Sequence, residues 1–149
     1  MNSYLLRCSS CKTLNRVPAE KIRQQPLCGK CKSRLALPDR PLSATFGTFD
    51  QEVLEWPSYV LVEFFDEFCF YCQQIAPELD RLAAKKQGQL KIVKVDMKKD
   101  PVLALRFDAK GAPTFILFRA GRQLARLDGS PGDVNALEQW IMSGMLKRY

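Results

Sequence analysis

The sequence predicts an α/β layered domain behind a short cysteine-rich segment. Two observations carry that prediction. All six cysteines occur as Cys-x-x-Cys pairs, and two of the three pairs lie within the first 31 residues. From residue 44 onward, apolar runs of strand character alternate with runs of helical period, and two strands joined by a tight turn come late. Of 149 residues, 46% are hydrophobic and 26% charged, the balance of a folded chain and not of a disordered tail.

Taken in order, the first two pairs belong together. Cys8/Cys11 and Cys28/Cys31 are separated by 16 residues, and ligands two residues apart can point at one ion from a tight turn. Two such knuckles complete a tetrahedral thiolate shell, so Cys8, Cys11, Cys28 and Cys31 are expected to hold one structural zinc ion with no open position. Iron fits the same shell, and two disulfides are open to it under oxidation. Gly29 is expected to relieve the backbone of the second knuckle. A segment of roughly 40 residues is small enough to need such a staple. Pro38-Asp39-Arg40-Pro41 marks its end, giving a module over 1–38, a linker over 39–43 and a domain over 44–149.

Within the domain, Ala44–Phe46 is expected as a short strand and Phe49–Leu54 as a helical turn or two. Tyr59–Phe65 is β-branched and aromatic, a strand buried on both faces, with Glu63 as its one charge. From Cys72 the period turns helical, with Ile75, Leu79, Leu82 and Ala83 on one face and Pro77 inside. Leu90–Val95 is a strand. Asp100 as N-cap, with Pro101 at the first helical position, is expected to start a short helix through about Phe107. Thr114–Phe118 and Gln123–Leu127 form a hairpin across Ala120-Gly121. Ser130 is expected to cap a last helix whose inward stripe is Val134, Leu137 and Ile141.

The third pair, Cys69/Cys72, lies where a buried strand gives way to a helix. Unpaired N–H groups and the helix dipole favour a thiolate there. Cys69 is therefore the candidate nucleophile and Cys72, one turn on, the candidate resolving thiol. Glu63, a lone carboxylate in an apolar strand, should hold its proton unusually well. With no histidine in the chain, imidazole has no part in any chemistry.

Val60 through Cys72 resembles the thioredoxin strand that leads into a Trp-Cys-Gly-Pro-Cys site, here ending Phe68-Cys69-Phe70-Tyr71-Cys72. Pro77 matches the proline of the following helix, Gly111-Ala112-Pro113-Thr114 is similar to the family's Gly-Ile-Pro-Thr loop, and Gly121 and Gly129 fall at matching places. With its four-cysteine segment, the chain resembles more narrowly the zinc-containing second-thioredoxin type of bacteria, with an atypical Cys-Phe-Tyr-Cys site. The resemblance implies a thioredoxin fold, a mixed sheet flanked by helices, with a zinc-ribbon-like module before it. It implies a protein dithiol–disulfide oxidoreductase in which Glu63 and Lys94 assist proton transfer from Cys72. It also implies a cis Pro113 that faces the cysteines and presents backbone to a substrate strand. Phe68, Phe70, Tyr71, Ala112 and Pro113 form the expected substrate rim, with Tyr71 as exposed contact surface. The implied partners are disulfide-containing proteins and a thioredoxin reductase.

The direction expected is reduction in the cytoplasm, because no apolar run approaches the roughly 20 residues of a membrane span and the start carries no basic leader followed by an apolar segment. A disulfide oxidase or isomerase, and a redox-sensing or protein-interaction module on the same scaffold, are the alternatives. The formal charge of +7 becomes +5 with four thiolates around one divalent ion. Lys12, Arg16, Lys21, Arg23, Lys30, Lys32 and Arg34 make the module basic, but stacked aromatics or a recognition helix for nucleic acid are lacking.

Overall fold

The computed structural model describes residues 2–146. In the module, β1 (Ser3–Arg7) and β2 (Leu14–Pro18) pair antiparallel, and a single 3-10 turn follows at Ala19–Lys21. The domain runs β3 (Leu42–Ser43), a π-helical turn at Asp50–Leu54, β4 (Tyr59–Phe65), α1 (Phe70–Lys85), β5 (Leu90–Asp96), α2 (Pro101–Arg106), β6 (Thr114–Arg119), β7 (Arg122–Asp128) and α3 (Val134–Met145). This is the predicted element order.

The five domain strands form one mixed sheet in the order β3-β5-β4-β6-β7. β3, β5 and β4 run parallel, whereas β6 is antiparallel to β4 and to β7. β4 lies at the centre because its run Val60-Leu61-Val62-Glu63-Phe64 is buried on both faces, as a strand covered on both sides requires. Alternation sorts its side chains. Val60, Val62 and Phe64 join Val93, Val95, Ile116 and Phe118 on one face, under Phe49, Val53, Trp56 and Leu103. Leu61 joins Leu90, Ile92, Phe115 and Leu117 on the other, under Ile75, Leu79 and Leu82 of α1 and Leu137 and Ile141 of α3. Among the described residues no helix is long and apolar enough to cross a membrane.

Several local expectations are corrected. The first sheet strand is Leu42–Ser43, two residues before Ala44–Phe46, so the sheet begins inside the segment read as linker. Asp100 precedes α2 but does not cap it; its Oδ1 accepts from the Phe46 N–H at 3.2 Å instead. The cap of α3 is Asp133, which accepts from Ala136 N at 2.8 Å, while Ser130 Oγ accepts from Gly132 N at 3.1 Å. Both residues offer a cap oxygen, and Asp133 is the one whose backbone stays extended directly before the first helical turn.

The module does not hang free. Leu6, Cys8, Val17, Cys28 and Leu35 share one core with Phe49, Trp56 and Val93 of the domain. Tyr4 meets Trp56 edge-on at 4.9 Å, and Gln87 Nε2 donates to Leu37 O at 2.9 Å. Below Trp56 the buried Lys91 donates to Glu52 O at 2.7 Å and pairs with Glu52 Oε1 at 2.8 Å, its ammonium 3.9 Å from the Trp56 ring centre. A buried ammonium is tolerated only with such partners.

Candidate redox site and metal centre

The redox site is built by the end of β4. After Phe65 the chain turns at Asp66, whose carbonyl accepts from Cys69 N at 3.0 Å and whose Oδ1 accepts from Phe68 N at 2.9 Å. That turn sets Cys69 as the cap of α1 in extended backbone, where its Sγ accepts from Cys72 N at 3.1 Å. Cys69 and Cys72 form a disulfide across Cα atoms 5.2 Å apart. Cys69 is half-buried and Cys72 buried, so an incoming sulfur can meet the first and not the second. Phe68 and Phe70, 74% and 72% exposed, flank Cys69 as an aromatic rim. Lys98, missed in the sequence, sets its ammonium 4.1 Å from the Phe68 ring centre and 3.9 Å from Asp66 Oδ1.

Glu63 shares the β4 face of Leu61, the face covered by α1, and its strand partners are Lys94 on β5 and Phe115 on β6. Its carboxylate is fully buried, and neither oxygen has a hydrogen-bond partner among the described residues. Lys94 Nζ stands 3.8 Å from Oε1, an ion pair too long for a hydrogen bond. Burial pushes the Glu63 carboxyl up to about 7, against the pull of the Lys94 charge.

On β6 the register sets Thr114 opposite Phe64, so the preceding loop lies at the same end of the sheet as the cysteines. The Ala112–Pro113 peptide is cis, and Thr114 Oγ1 donates to Gly111 O at 2.6 Å. Pro113 has no N–H to offer, and its carbonyl accepts from Gly129 N at 2.9 Å. Ala112 has no backbone partner among the described residues. Tyr71 is also corrected. It is half-buried against the α1 face of the sheet, its hydroxyl is buried, and only Phe68 and Phe70 form an exposed rim.

In the module the four sulfurs of Cys8, Cys11, Cys28 and Cys31 lie within 4.8 Å of one another. Cys8 and Cys31 Sγ are 3.5 Å apart, and Cys11 and Cys28 Sγ 3.6 Å. Sulfurs on one tetrahedral ion at ~2.3 Å stand about 3.8 Å apart, so this donor set fits a single metal with all four positions filled by protein. The knuckles repeat each other. Cys8 N donates to Thr13 O and Lys12 N to Cys8 O, just as Cys28 N donates to Ser33 O and Lys32 N to Cys28 O. The positive φ falls on Lys12 (65°) and Lys32 (66°), not on Gly29 as expected. Each of these lysines returns its ammonium to a carbonyl of its own knuckle, Ser9 O or Gly29 O. Asn15, also missed, ties the two halves, donating to Cys28 Sγ at 3.5 Å and accepting from Gly29 N at 2.9 Å. N–H groups of Cys31 and then Lys30, with Asn15 and Cys11, draw the Cys28 thiol down to about 6 despite its burial.

The raised Glu63 carboxyl makes stability depend on pH. The folded protein keeps this proton up to about pH 7, whereas the unfolded chain releases it near 4.5. Stability from the protonated group is thus full below pH 4.5 and lost as pH rises through 7, a fall of about 3 kcal/mol. In urea unfolding, Glu63→Gln should gain about that much on the wild-type protein between pH 4.5 and pH 8; a difference constant with pH would contradict the raised carboxyl.

Two family models match the chain, Thioredoxin over residues 41–143 and Thioredoxin 2, N-terminal, over residues 7–33. Thioredoxin C-3 of Corynebacterium nephridii is 30% identical over 137 residues, 92% of this chain and 92% of the relative. A bifunctional thioredoxin reductase/thioredoxin of Mycobacterium leprae is 33% identical over 91 residues, 61% of this chain and 20% of the relative. Among solved structures, a mutant thioredoxin from Halobacterium salinarum NRC-1 superposes with a TM-score of 0.67 at 29% identity, over 76% of this chain and 98% of that one. With a Cys-x-x-Cys disulfide capping the helix after the central strand, and a four-cysteine ribbon before it, the chain belongs to the thioredoxin family and is a thiol–disulfide oxidoreductase.

Proposed function

We propose that the chain reduces disulfides of cytoplasmic proteins through Cys69 and Cys72. The observation that carries this reading is the half-buried Cys69 at the N-terminus of α1, its sulfur accepting the Cys72 N–H, with Cys72 buried. The helix dipole and that donor stabilise a Cys69 thiolate. The thiolate attacks one sulfur of a substrate disulfide, forming a mixed disulfide and releasing the other sulfur as thiolate. Cys72 then loses its proton to Glu63 and attacks Cys69 Sγ. The second substrate sulfur leaves, and the two electrons given to the substrate leave Cys69–Cys72 oxidised. Glu63 suits the proton step because its carboxyl exchanges near neutrality, and Lys94 holds it within that range.

Phe68 and Phe70 offer apolar contact around the incoming disulfide, and the Ala112 N–H and C=O are free to pair with a substrate strand beside Pro113. The electron donor in this reading is a thioredoxin reductase, the activity joined to a thioredoxin in the name of the Mycobacterium leprae relative. Four thiolates that must stay reduced suit the cytoplasm. The metal is zinc, which binds four thiolates tetrahedrally without redox chemistry of its own and would hold the two knuckles together.

Incubated with an oxidised protein substrate, reduced Cys72→Ser should accumulate a mixed disulfide at Cys69, and Cys69→Ser should lose disulfide reduction altogether. A wild-type protein that oxidises dithiols but leaves protein disulfides intact would reverse the proposed direction. Metal analysis of the purified chain should give one zinc per chain, lost in Cys8→Ser or Cys28→Ser together with module stability. Iron in the site, or a module equally stable without metal, would contradict the zinc reading.

A further inference from the structure

Tyr71 stands between the two cysteines and has no part in the steps above. Its position follows from the helix. The buried stripe Ile75, Leu79 and Leu82 continues one turn back to Tyr71. β4 and β5 are parallel, so α1, the crossover between them, runs back against β4. A step toward the start of α1 is therefore a step toward the end of β4. Leu61, the α1 stripe and Tyr71 share one core, so the Tyr71 turn falls toward the Glu63 end of that face.

Among the described residues, the buried side-chain polar atoms without a hydrogen bond are both Glu63 oxygens and the Tyr71 hydroxyl. They are complementary: a phenol has a proton to give, and a carboxylate has lone pairs to receive it. Groups so buried are ordinarily satisfied, and a shared water is the usual means where they do not touch. Charge also links them: burial opposes ionisation of Tyr71, the nearby Ser130 hydroxyl eases it, and the Asp133 and then the Glu63 carboxylate oppose it. The groups facing this pair are Lys94 from β5, and Ser130 and Asp133 before α3.

We propose that the Tyr71 hydroxyl, through one bridging water, is the hydrogen-bond partner of the Glu63 carboxylate and the route by which Glu63 exchanges its proton with solvent on the side of the exposed Ser130. Tyr71 is thus a positioning residue for the resolving step. After Glu63 takes the Cys72 proton, the carboxylic acid passes it to the water, the hydroxyl relays it outward past Ser130, and Glu63 returns to the ionised form. No electron moves in this step, and the proton that leaves Cys72 ends in bulk water. The inference rests on the reading of Glu63 as proton acceptor.

Dithiobis(nitrobenzoate) separates the steps. Attack by Cys69 releases one coloured thiolate, and resolution by Cys72 releases the second. In Tyr71→Phe the ring and its packing remain while the proton donor is lost. The Glu63 midpoint, followed by NMR of its carboxyl carbon, should rise by about one pH unit, the size expected for losing one hydrogen bond to the charged form. The second phase at pH 7 should slow about tenfold, with the first phase unchanged within about twofold. If either the midpoint or the second phase is unaltered in Tyr71→Phe, the proposal is overturned. Glu63→Gln tests the underlying reading by itself: a slowed second phase that has lost its inflection near pH 7 supports it. An unchanged second phase removes Glu63 as acceptor, and Tyr71 as its relay with it.

Discussion

The first N–H groups of an α-helix have no carbonyl of their own helix to bind, and at α1 this chain answers with a sulfur. Cys69 caps the helix, Cys72 N donates to it, and the rest of the redox site is arranged so that this contact forms at an accessible place. β4 must stop at Phe65, Asp66 must turn the chain with both its carbonyl and its carboxylate, and the buried stripe of α1 must hold the first turn against the sheet. A cysteine elsewhere on α1 would have neither the donor nor the dipole. The same geometry sorts the two thiols, since the cap residue faces outward and the residue three later faces the core.

The sheet that positions this junction carries a carboxylate where a hydrocarbon would be more stable. Glu63 sits on the best-buried strand, with an ion pair to Lys94 and no hydrogen bond. Desolvation outweighs the Coulomb attraction there, which is why the group holds its proton into the neutral range. A fold that keeps such a residue gives up stability above neutral pH for a buried group whose proton exchanges in the neutral range. The metal module uses the opposite arrangement. At Cys28 the backbone N–H groups of Cys31 and Lys30, with Asn15, favour the charged thiolate that a metal needs.

Much of this was legible in the sequence because it depends on local pattern. The Tyr59–Phe65 run, the stripe Ile75, Leu79 and Leu82, and the three cysteine pairs each state their place by composition and spacing. The elements misplaced are those settled by long-range partners. Leu42–Ser43 are a strand only because β5 lies beside them, and Asp100 abandons its cap for the Phe46 N–H. Glycine pattern misled at Gly29, because the knuckle turn has its positive φ one residue past the second cysteine, on lysines that bond their own knuckle. Asn15 and Lys98 act across the fold and leave no local signal. Tyr71 was read as surface because the helical stripe was traced only from Cys72 onward, whereas the buried stripe of α1 reaches back one turn to include it.

The claim that the helix start makes Cys69 the nucleophile is tested most directly by alkylation of the reduced, metal-loaded protein with iodoacetamide, mapped by mass spectrometry across pH. Cys69 should be modified at least about tenfold faster than Cys72, with a midpoint below the ordinary thiol value of ~8.5. Modification of Cys72 first, or a Cys69 midpoint at or above that value, would contradict the account.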